Sequence, residues 1–255
     1  MSEQPSEFPE VQGGGSLILA WQIRGKKALV VGGGEVAAGR IFHLLNADAV
    51  VTVVSPSTNG LNAEVAHRIA CGQVAHVDRA FEPRDLDDPA IAMVLVAIDD
   101  PAASSEIWRL CRDRRIPANI ADVPPECDFY FGSVHRDGPL QVMVSTNGKG
   151  PRLANQIRRH IAAGLPPNAG RAVESVGRLR ARLRAVAPDV EEGPKRMRWM
   201  IKVSDAFSFE DLCGLTDEDM ENLLTFYAAG AVPTLDELRS MRDEGGAARC
   251  FSDRA

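Results

Sequence analysis

Three features of this 255-residue sequence carry residue types able to do chemistry: a glycine turn, an isolated aspartate and a run of arginines. The turn is Gly32-Gly33-Gly34-Glu35-Val36-Ala37. A short apolar run, Ala28 to Val31, leads into it, and a helix-forming stretch with many small residues follows. Read as strand, tight turn and helix, Gly32-x-Gly34-x-x-Ala37 fits the dinucleotide-binding fingerprint. There Gly32 permits the turn, Gly34 lets backbone approach a pyrophosphate, and Ala37 allows close packing of helix on strand. The free N–H groups at the helix start then face the phosphates. In isolation the same pattern also describes a plain turn, so its surroundings must decide.

Asp122 is the second feature. It follows a predicted strand over 116–120 and precedes Pro124 and Pro125, which fix the loop. A carboxylate at such a strand end can take a proton while a hydride leaves toward a nicotinamide. It can also cap a helix or hold the loop, and for the residue taken by itself that is the better reading. Asp99 and Asp100, after another strand, have the same two readings, with capping of the next helix the better one for them.

The third feature is charge. Residues 149–202 hold thirteen Lys/Arg against four Asp/Glu, although the whole chain carries −6, so the remainder carries −15. Such asymmetry suits an anionic ligand, and a solvated helix surface explains it as well. The polar loop Ser145-Thr146-Asn147-Gly148-Lys149-Gly150-Pro151 opens this stretch. It suits a phosphate or carboxylate but lacks the Gly-Lys-Ser/Thr ending of a P-loop.

Positioning these groups requires alternating strands and helices. The patterning predicts strands over 26–31, 49–54, 73–77, 91–98 and 116–120, with helices over 35–46, 61–71 and 102–114 between them. The run Ala49–Val54 is continuously apolar, as befits a strand buried on both faces. Leu17 to Trp21 is expected as an edge segment beside the first strand. Together these elements predict a Rossmann-like, doubly wound parallel α/β sheet, whose ligands bind beyond the carboxyl ends of the strands. Gly34, Ser57, Asp99 and Asp122 all fall at such ends. The second strand departs from the common pattern: Ser55-Pro56-Ser57 stands where an acidic residue usually holds the ribose 2′-hydroxyl. Backbone and hydroxyl groups are therefore expected to hold the adenosine end, and a preference between NAD and NADP is not readable.

Beyond residue 127 the pattern changes to two antiparallel strands, Phe129–Phe131 and Leu140–Val144, flanking a turn at 135–139. Helices are expected over 152–163, 169–186, 195–204, 216–227 and 234–243, with a short turn near 209–213. Five domain segments follow: a leader over 1–16, a Rossmann-like domain over 17–122, a small α+β dimerisation domain over 123–165, a helical domain over 166–245 and a tail over 246–255.

Composition narrows the classes. Apolar residues make up 45% and charged residues 25%, ordinary values for a globular protein. No apolar run approaches the roughly 18 residues of a membrane span, so no membrane partner is expected. The N-terminus lacks the basic and apolar regions of a secretory signal. Cysteines 71, 111, 127, 213 and 250 are scattered without a C-x-x-C pair, which points to reduced thiols and a cytoplasmic location. Histidines 43, 67, 76, 135 and 160 have no metal-ligand spacing, so no metal site is expected. Nucleic acid is not expected either, because the protein is acidic and no aromatic residues interleave with the arginines.

Several motifs taken in order resemble the siroheme-synthase family, in its fungal, bifunctional branch. They are Gly32–Ala37, the Ser-Pro after the second strand, Ala97-Ile-Asp-Asp100, Asn119-Ile-Ala-Asp122, Cys127-Asp-Phe-Tyr-Phe131, Val144-Ser-Thr-Asn-Gly148 and Arg196-Met-Arg-Trp199. The resemblance spans about residues 17 to 230. It implies NAD-dependent dehydrogenation of precorrin-2 to sirohydrochlorin, followed by insertion of Fe2+, as substrate, to give siroheme. It also implies an intertwined homodimer. The family's essential aspartate matches Asp122, and its cofactor positions match Glu35, Val36, Pro56 and Ser57, beside Gly32, Gly33, Gly34, Ser55 and Asp99. A serine that some bacterial members phosphorylate matches Thr146. With Asn147, Lys149, Arg152 and Arg158, Thr146 is expected to bind the substrate, a tetrapyrrole with eight carboxylates. Two other readings remain: a dehydrogenase that leaves iron insertion to another protein, and a dinucleotide-binding sensor or scaffold without catalysis.

Overall fold

The computed structural model describes residues 13–242, so most of the expected leader and all of the expected tail lie outside the described residues. The chain divides into two compact units. The first comprises residues up to Phe131 together with Asn147–Lys149, and the second comprises Gly132–Thr146 and everything from Gly150 onward.

In the first unit, five parallel strands form one sheet: β1 (Lys27–Val31), β2 (Val50–Val54), β3 (Ala75–Val77), β4 (Ile91–Val96) and β5 (Ala118–Ile120). Their order is β3-β2-β1-β4-β5, so the chain winds outward from β1 in both directions. Helices α1 (Glu35–Leu45), α2 (Ala63–Ala70) and α3 (Pro101–Asp113) connect the strands. Successive side chains of a strand face opposite ways, and here both faces are covered. Ala28, Val30, Val51, Val53, Met93 and Leu95 pack with Ala37, Ala38, Ile41 and Leu44 of α1. Leu29, Val31, Val54, Val94 and Val96 pack with Ile107 and Cys111 of α3. This is why the strands read as unbroken apolar runs.

Two expectations are corrected. Residues 17–21 form no strand, and Leu17, Ile18 and Leu19 are exposed. Both sides of β1 are already taken by β2 and β4, which leaves no ladder for an edge segment beside it. The antiparallel hairpin, in the second unit, pairs β6 (Ser133–Asp137) with β7 (Leu140–Val144), not residues 129–131. Its register is set by the two-residue turn Gly138-Pro139, where Gly138 has φ 54° and Pro139 cannot adopt a positive φ. Phe129 and Phe131, freed from strand pairing, pack on the core of the first unit instead.

The rest of the second unit is helical: α4 (Pro151–Ala163), α5 (Ala169–Val186), α6 (Gly193–Ala206), α7 (Phe209–Gly214) and α8 (Asp217–Thr225), followed by helical residues from 235. Leu179 and Leu183, one turn apart on α5, meet Trp199 and Val203 of α6, Met220 and Leu223 of α8, and Leu238. The Trp199 indole N–H is satisfied by the Ala231 carbonyl at 2.7 Å.

Candidate dinucleotide site at the strand ends

Parallel pairing puts Val77, Val54, Val31, Val96 and Ile120 in one row across the sheet. The next residue of each strand, respectively Asp78, Ser55, Gly32, Ala97 and Ala121, therefore opens the loop side. The ladder continues one bond further, through Gly32 N–H to Val54 O (2.9 Å), Ala97 N–H to Val31 O (2.8 Å) and Ala121 N–H to Val96 O (2.9 Å). The glycine turn, Ser55–Ser57, Asp99 and Asp122 thus share one edge of the first unit.

The three glycines differ in what excludes a side chain. Gly32 has φ +114°, and a Cβ there would lie 2.1 Å from the Ala97 carbonyl oxygen. A Cβ on Gly33 would lie 2.5 Å from Leu61 Cδ2 and 2.9 Å from the Ser55 hydroxyl. Around Gly34, by contrast, nothing lies within 4 Å of that position. Protein packing therefore explains the first two glycines but not the third, whose open cradle fits the close approach of a pyrophosphate. Gly34 also precedes α1 without any side-chain cap, so the N–H groups of the first turn remain available.

Asn62 braces the turn. Its N–H donates to Gly33 O (2.8 Å), its Oδ1 accepts from Glu64 N–H (2.8 Å), and its Nδ2 donates to Glu35 Oε2 (2.6 Å). The Glu35 carboxylate is held there, and Val36 is 47% exposed at the rim.

Ser55 is buried, and its carbonyl accepts from His76 Nε2 at 2.8 Å. Pro56 carries the chain over to Ser57. There the acidic partner missing from the second strand reappears from the third. Asp78 Oδ1 accepts from Ser57 N–H and Asp78 Oδ2 from the Ser57 hydroxyl, each at 2.6 Å. These bonds hold the Asp78 carboxyl below its ordinary pKa, the hydroxyl first and the N–H second. Asp78 had no signal in the sequence, because it lies 21 residues beyond Ser57 and outside the usual motif.

Asp100 caps α3, accepting from Ala103 N–H at 3.0 Å, and leaves Asp99 exposed outside the cap. Asp122 caps nothing: Val123 precedes the short 3₁₀ turn at Pro124–Glu126, and no hydrogen bond reaches the Asp122 carboxylate among the described residues. It sits at φ 60°, a left-handed conformation that aspartate tolerates better than β-branched residues do. Its loop is pinned on the far side. Asp128 Oδ2 accepts from Ala118 N–H (2.8 Å), and the Cys127 thiol donates to Ile120 O (3.1 Å).

The sequence reading also missed Arg40. From α1, its guanidinium lies 4.3 Å from the centroid of the Phe131 ring. Burial lowers the Arg40 pKa, while Cys127 and Asp122 act the other way. His43, next on the same face, is pushed down by its own burial and by the Arg40 charge. A lone arginine among the small residues of α1 was the available clue.

The expected substrate residues are divided. Asn147 and Lys149 belong to the first unit, and Thr146, Arg152 and Arg158 to the second. Asn147 is engaged with Ser16 and Gly14, while Lys149 is exposed. The Thr146 hydroxyl accepts from Gly150 N–H (3.2 Å), and Arg158 Nε donates to the Ser133 hydroxyl (3.2 Å). Arg152 is exposed on the first turn of α4. Further along the basic stretch, Arg182 pairs with Asp217 (2.7 Å) and Glu221 (3.7 Å), and Arg178 with Asp217 (3.1 Å). No group of three or more His, Cys, Asp or Glu residues that could hold a metal occurs among the described residues. No described helix is long and apolar enough to cross a membrane.

Sheet order and strand-end site define a Rossmann-like dinucleotide-binding protein. A solved structure described as SirC, precorrin-2 dehydrogenase, has the same fold, with a TM-score of 0.60 at 20% identity over 84% of this chain and 100% of that one. An NAD(P)-binding family model matches residues 19–133, and sirohaem biosynthesis models match residues 137–163 (central) and 166–233 (C-terminal). The siroheme biosynthesis protein met8 of Schizosaccharomyces pombe is 54% identical over 91% of this chain and 87% of its own length. Siroheme synthase 1 of Serratia proteamaculans is 32% identical over 85% of this chain, and the siroheme synthase of Thioalkalivibrio sulfidiphilus 38% identical over 67%. The chain covers 44% and 34% of those two bacterial proteins, less than half of either. The chain belongs to the sirohaem biosynthesis protein family.

Proposed function

We propose that this enzyme of siroheme biosynthesis carries out two successive steps. It oxidises precorrin-2 to sirohydrochlorin with NAD, then inserts ferrous iron to give siroheme. The observation carrying this reading is the arrangement of the first unit: the open cradle at Gly34 and an uncapped carboxylate, Asp122, lie on one edge of a single sheet. NAD bound there supplies the hydride acceptor. Gly34 and the start of α1 hold its pyrophosphate, and Ser55–Ser57 hold the adenosine ribose. One ring carbon gives its hydride to NAD, and Asp122 accepts the proton that the resulting cation loses from a different atom of the conjugated ring, a carbon or a pyrrole nitrogen. In the second step iron replaces two pyrrole N–H protons, and the exposed Asp122 relays them to solvent.

The tetrapyrrole carries eight carboxylates, and Lys149, Arg152 and Arg158 are the cations assigned to them. Apolar Leu153, Ile157 and Ile161, four residues apart on α4, are 55%, 39% and 38% exposed, which supports burial of that helix face in a homodimer. The free thiols among the described residues suit a cytoplasmic location.

The test is anaerobic incubation of the protein with precorrin-2, followed by absorption spectra. Sirohydrochlorin should form only with NAD, and siroheme only after Fe2+ is added, faster than in a protein-free control. Iron insertion no faster than that control would reduce the reading to a dehydrogenase. Conversion of precorrin-2 without a dinucleotide would remove the assignment of the strand-end site.

A further inference from the structure

The same edge carries a selectivity device. We infer that Asp78, delivered from the end of β3 onto Ser57, makes the site select NAD and reject NADP. This inference rests on the cofactor reading above and deepens it.

In a doubly wound sheet the residue ending the second strand faces the adenosine ribose, and a carboxylate there accepts from the 2′-hydroxyl while repelling a 2′-phosphate. This chain has Ser55-Pro56-Ser57 at that point, which by itself carries no charge. Strand pairing changes the outcome. Val54 is level with Val77, so Asp78 stands beside Ser55 in the next position of the row. Its two oxygens are fixed by the Ser57 N–H and hydroxyl, at 2.6 Å each. A carboxylate accepts more than one hydrogen bond per oxygen, so acceptor capacity remains for a ribose hydroxyl. The Ser57 bonds and the nearby His76 keep Asp78 ionised.

The neighbouring cation does not offset it. Arg79 is the residue that could have welcomed a 2′-phosphate, but its guanidinium is committed to Asp85, through Nη1 to Oδ2 (2.8 Å) and Nη2 to Oδ1 (2.5 Å). Glu82 adds a second carboxylate 3.9 Å from Arg79 Nε. A dianionic phosphate brought to Ser57 therefore meets the Asp78 charge beside a cation that is already neutralised.

Calorimetric titration of the full chain with NAD and with NADP tests this without reference to turnover. The parent should bind NAD at least roughly 100-fold more tightly than NADP, and the ratio should shrink as salt is raised. Asp78→Asn keeps an oxygen for the Ser57 N–H and removes the charge. It should reduce the ratio by about 10-fold or more, chiefly by tightening NADP. Asp78→Ser is the second variant and should act in the same direction. A parent that binds both dinucleotides equally, or a ratio insensitive both to salt and to substitution in a folded variant, overturns the inference and leaves the cofactor site standing. A parent that binds neither overturns both.

Discussion

The strand ends of the first unit and the helices of the second unit are both rich in charge but use it in opposite ways. At the strand ends, Asp122 and Asp99 are left outside caps and hydrogen bonds, and Gly34 keeps space that no protein atom fills. In the helical unit, several arginines are consumed internally, although Arg152 stays exposed: Arg178 and Arg182 of α5 close on Asp217, and Arg196 donates to the Ala187 and Asp189 carbonyls at 2.6 and 2.7 Å. Charge density along a sequence therefore says little about charge available to a ligand. The acidic edge, sparse in the sequence, keeps Asp99 and Asp122 available, while part of the dense basic stretch is already paired.

The most severe way to break this contrast is Asp122→Asn, which keeps shape but cannot take a proton. Both dehydrogenation and iron insertion should fall by a factor of about 10² to 10⁴, while NAD affinity is unchanged. A folded Asn variant with parental turnover would return Asp122 to a loop-fixing role, and loss of one activity alone would assign the other step to a different residue.

Trp199→Ala probes the opposite pole. Trp199 is 2% exposed in the helical core and satisfies the Ala231 carbonyl. Its loss should cost about 3–5 kcal/mol in the unfolding of that unit, measured by denaturant titration. NAD affinity should hold at temperatures where the variant is folded, since no residue of this core belongs to the sheet. A parallel loss of NAD binding would mean that the two regions are energetically one.

The smallest effects separate the arginines from one another. Arg152→Glu with Arg158→Glu should weaken tetrapyrrole binding more than NAD binding, with the gap narrowing at high salt. Arg178→Ala and Arg182→Ala remove exposed ion pairs, should each change stability by no more than about 1 kcal/mol, and should leave tetrapyrrole affinity nearly unaltered. Dissociation into monomers with equal loss of both ligands in the Arg152/Arg158 variant would place those residues in a subunit interface. A substantial loss of affinity in the Arg178 or Arg182 variant would show that paired cations also serve the ligand.

Much of the first unit was legible from local pattern. A strand needs only a run of apolar residues to be recognised, and the turn from β1 to α1 announces itself through Gly32, whose positive φ and contact with Ala97 exclude any side chain. The position of Asp122 after β5 was legible for the same reason. The hairpin was less so. Aromatic residues 129–131 look like a strand, but the two-residue Gly138-Pro139 turn forces Leu140–Val144 to pair with Ser133–Asp137.

The sequence by itself determined the alternation of strands and helices, the glycine cradle and Asp122, because each depends on neighbours a few residues away. Tertiary structure alone decided which charges meet. Parallel pairing of β2 with β3 carries Asp78 to Ser57, packing against Phe131 leaves Arg40 within the influence of Asp122, and the folding of α8 against α5 brings Asp217 to arginines more than 30 residues earlier. Such encounters depend on strand order and helix packing, which short-range periodicity does not encode. A carboxylate supplied by the third strand can therefore take the place of one missing from the second.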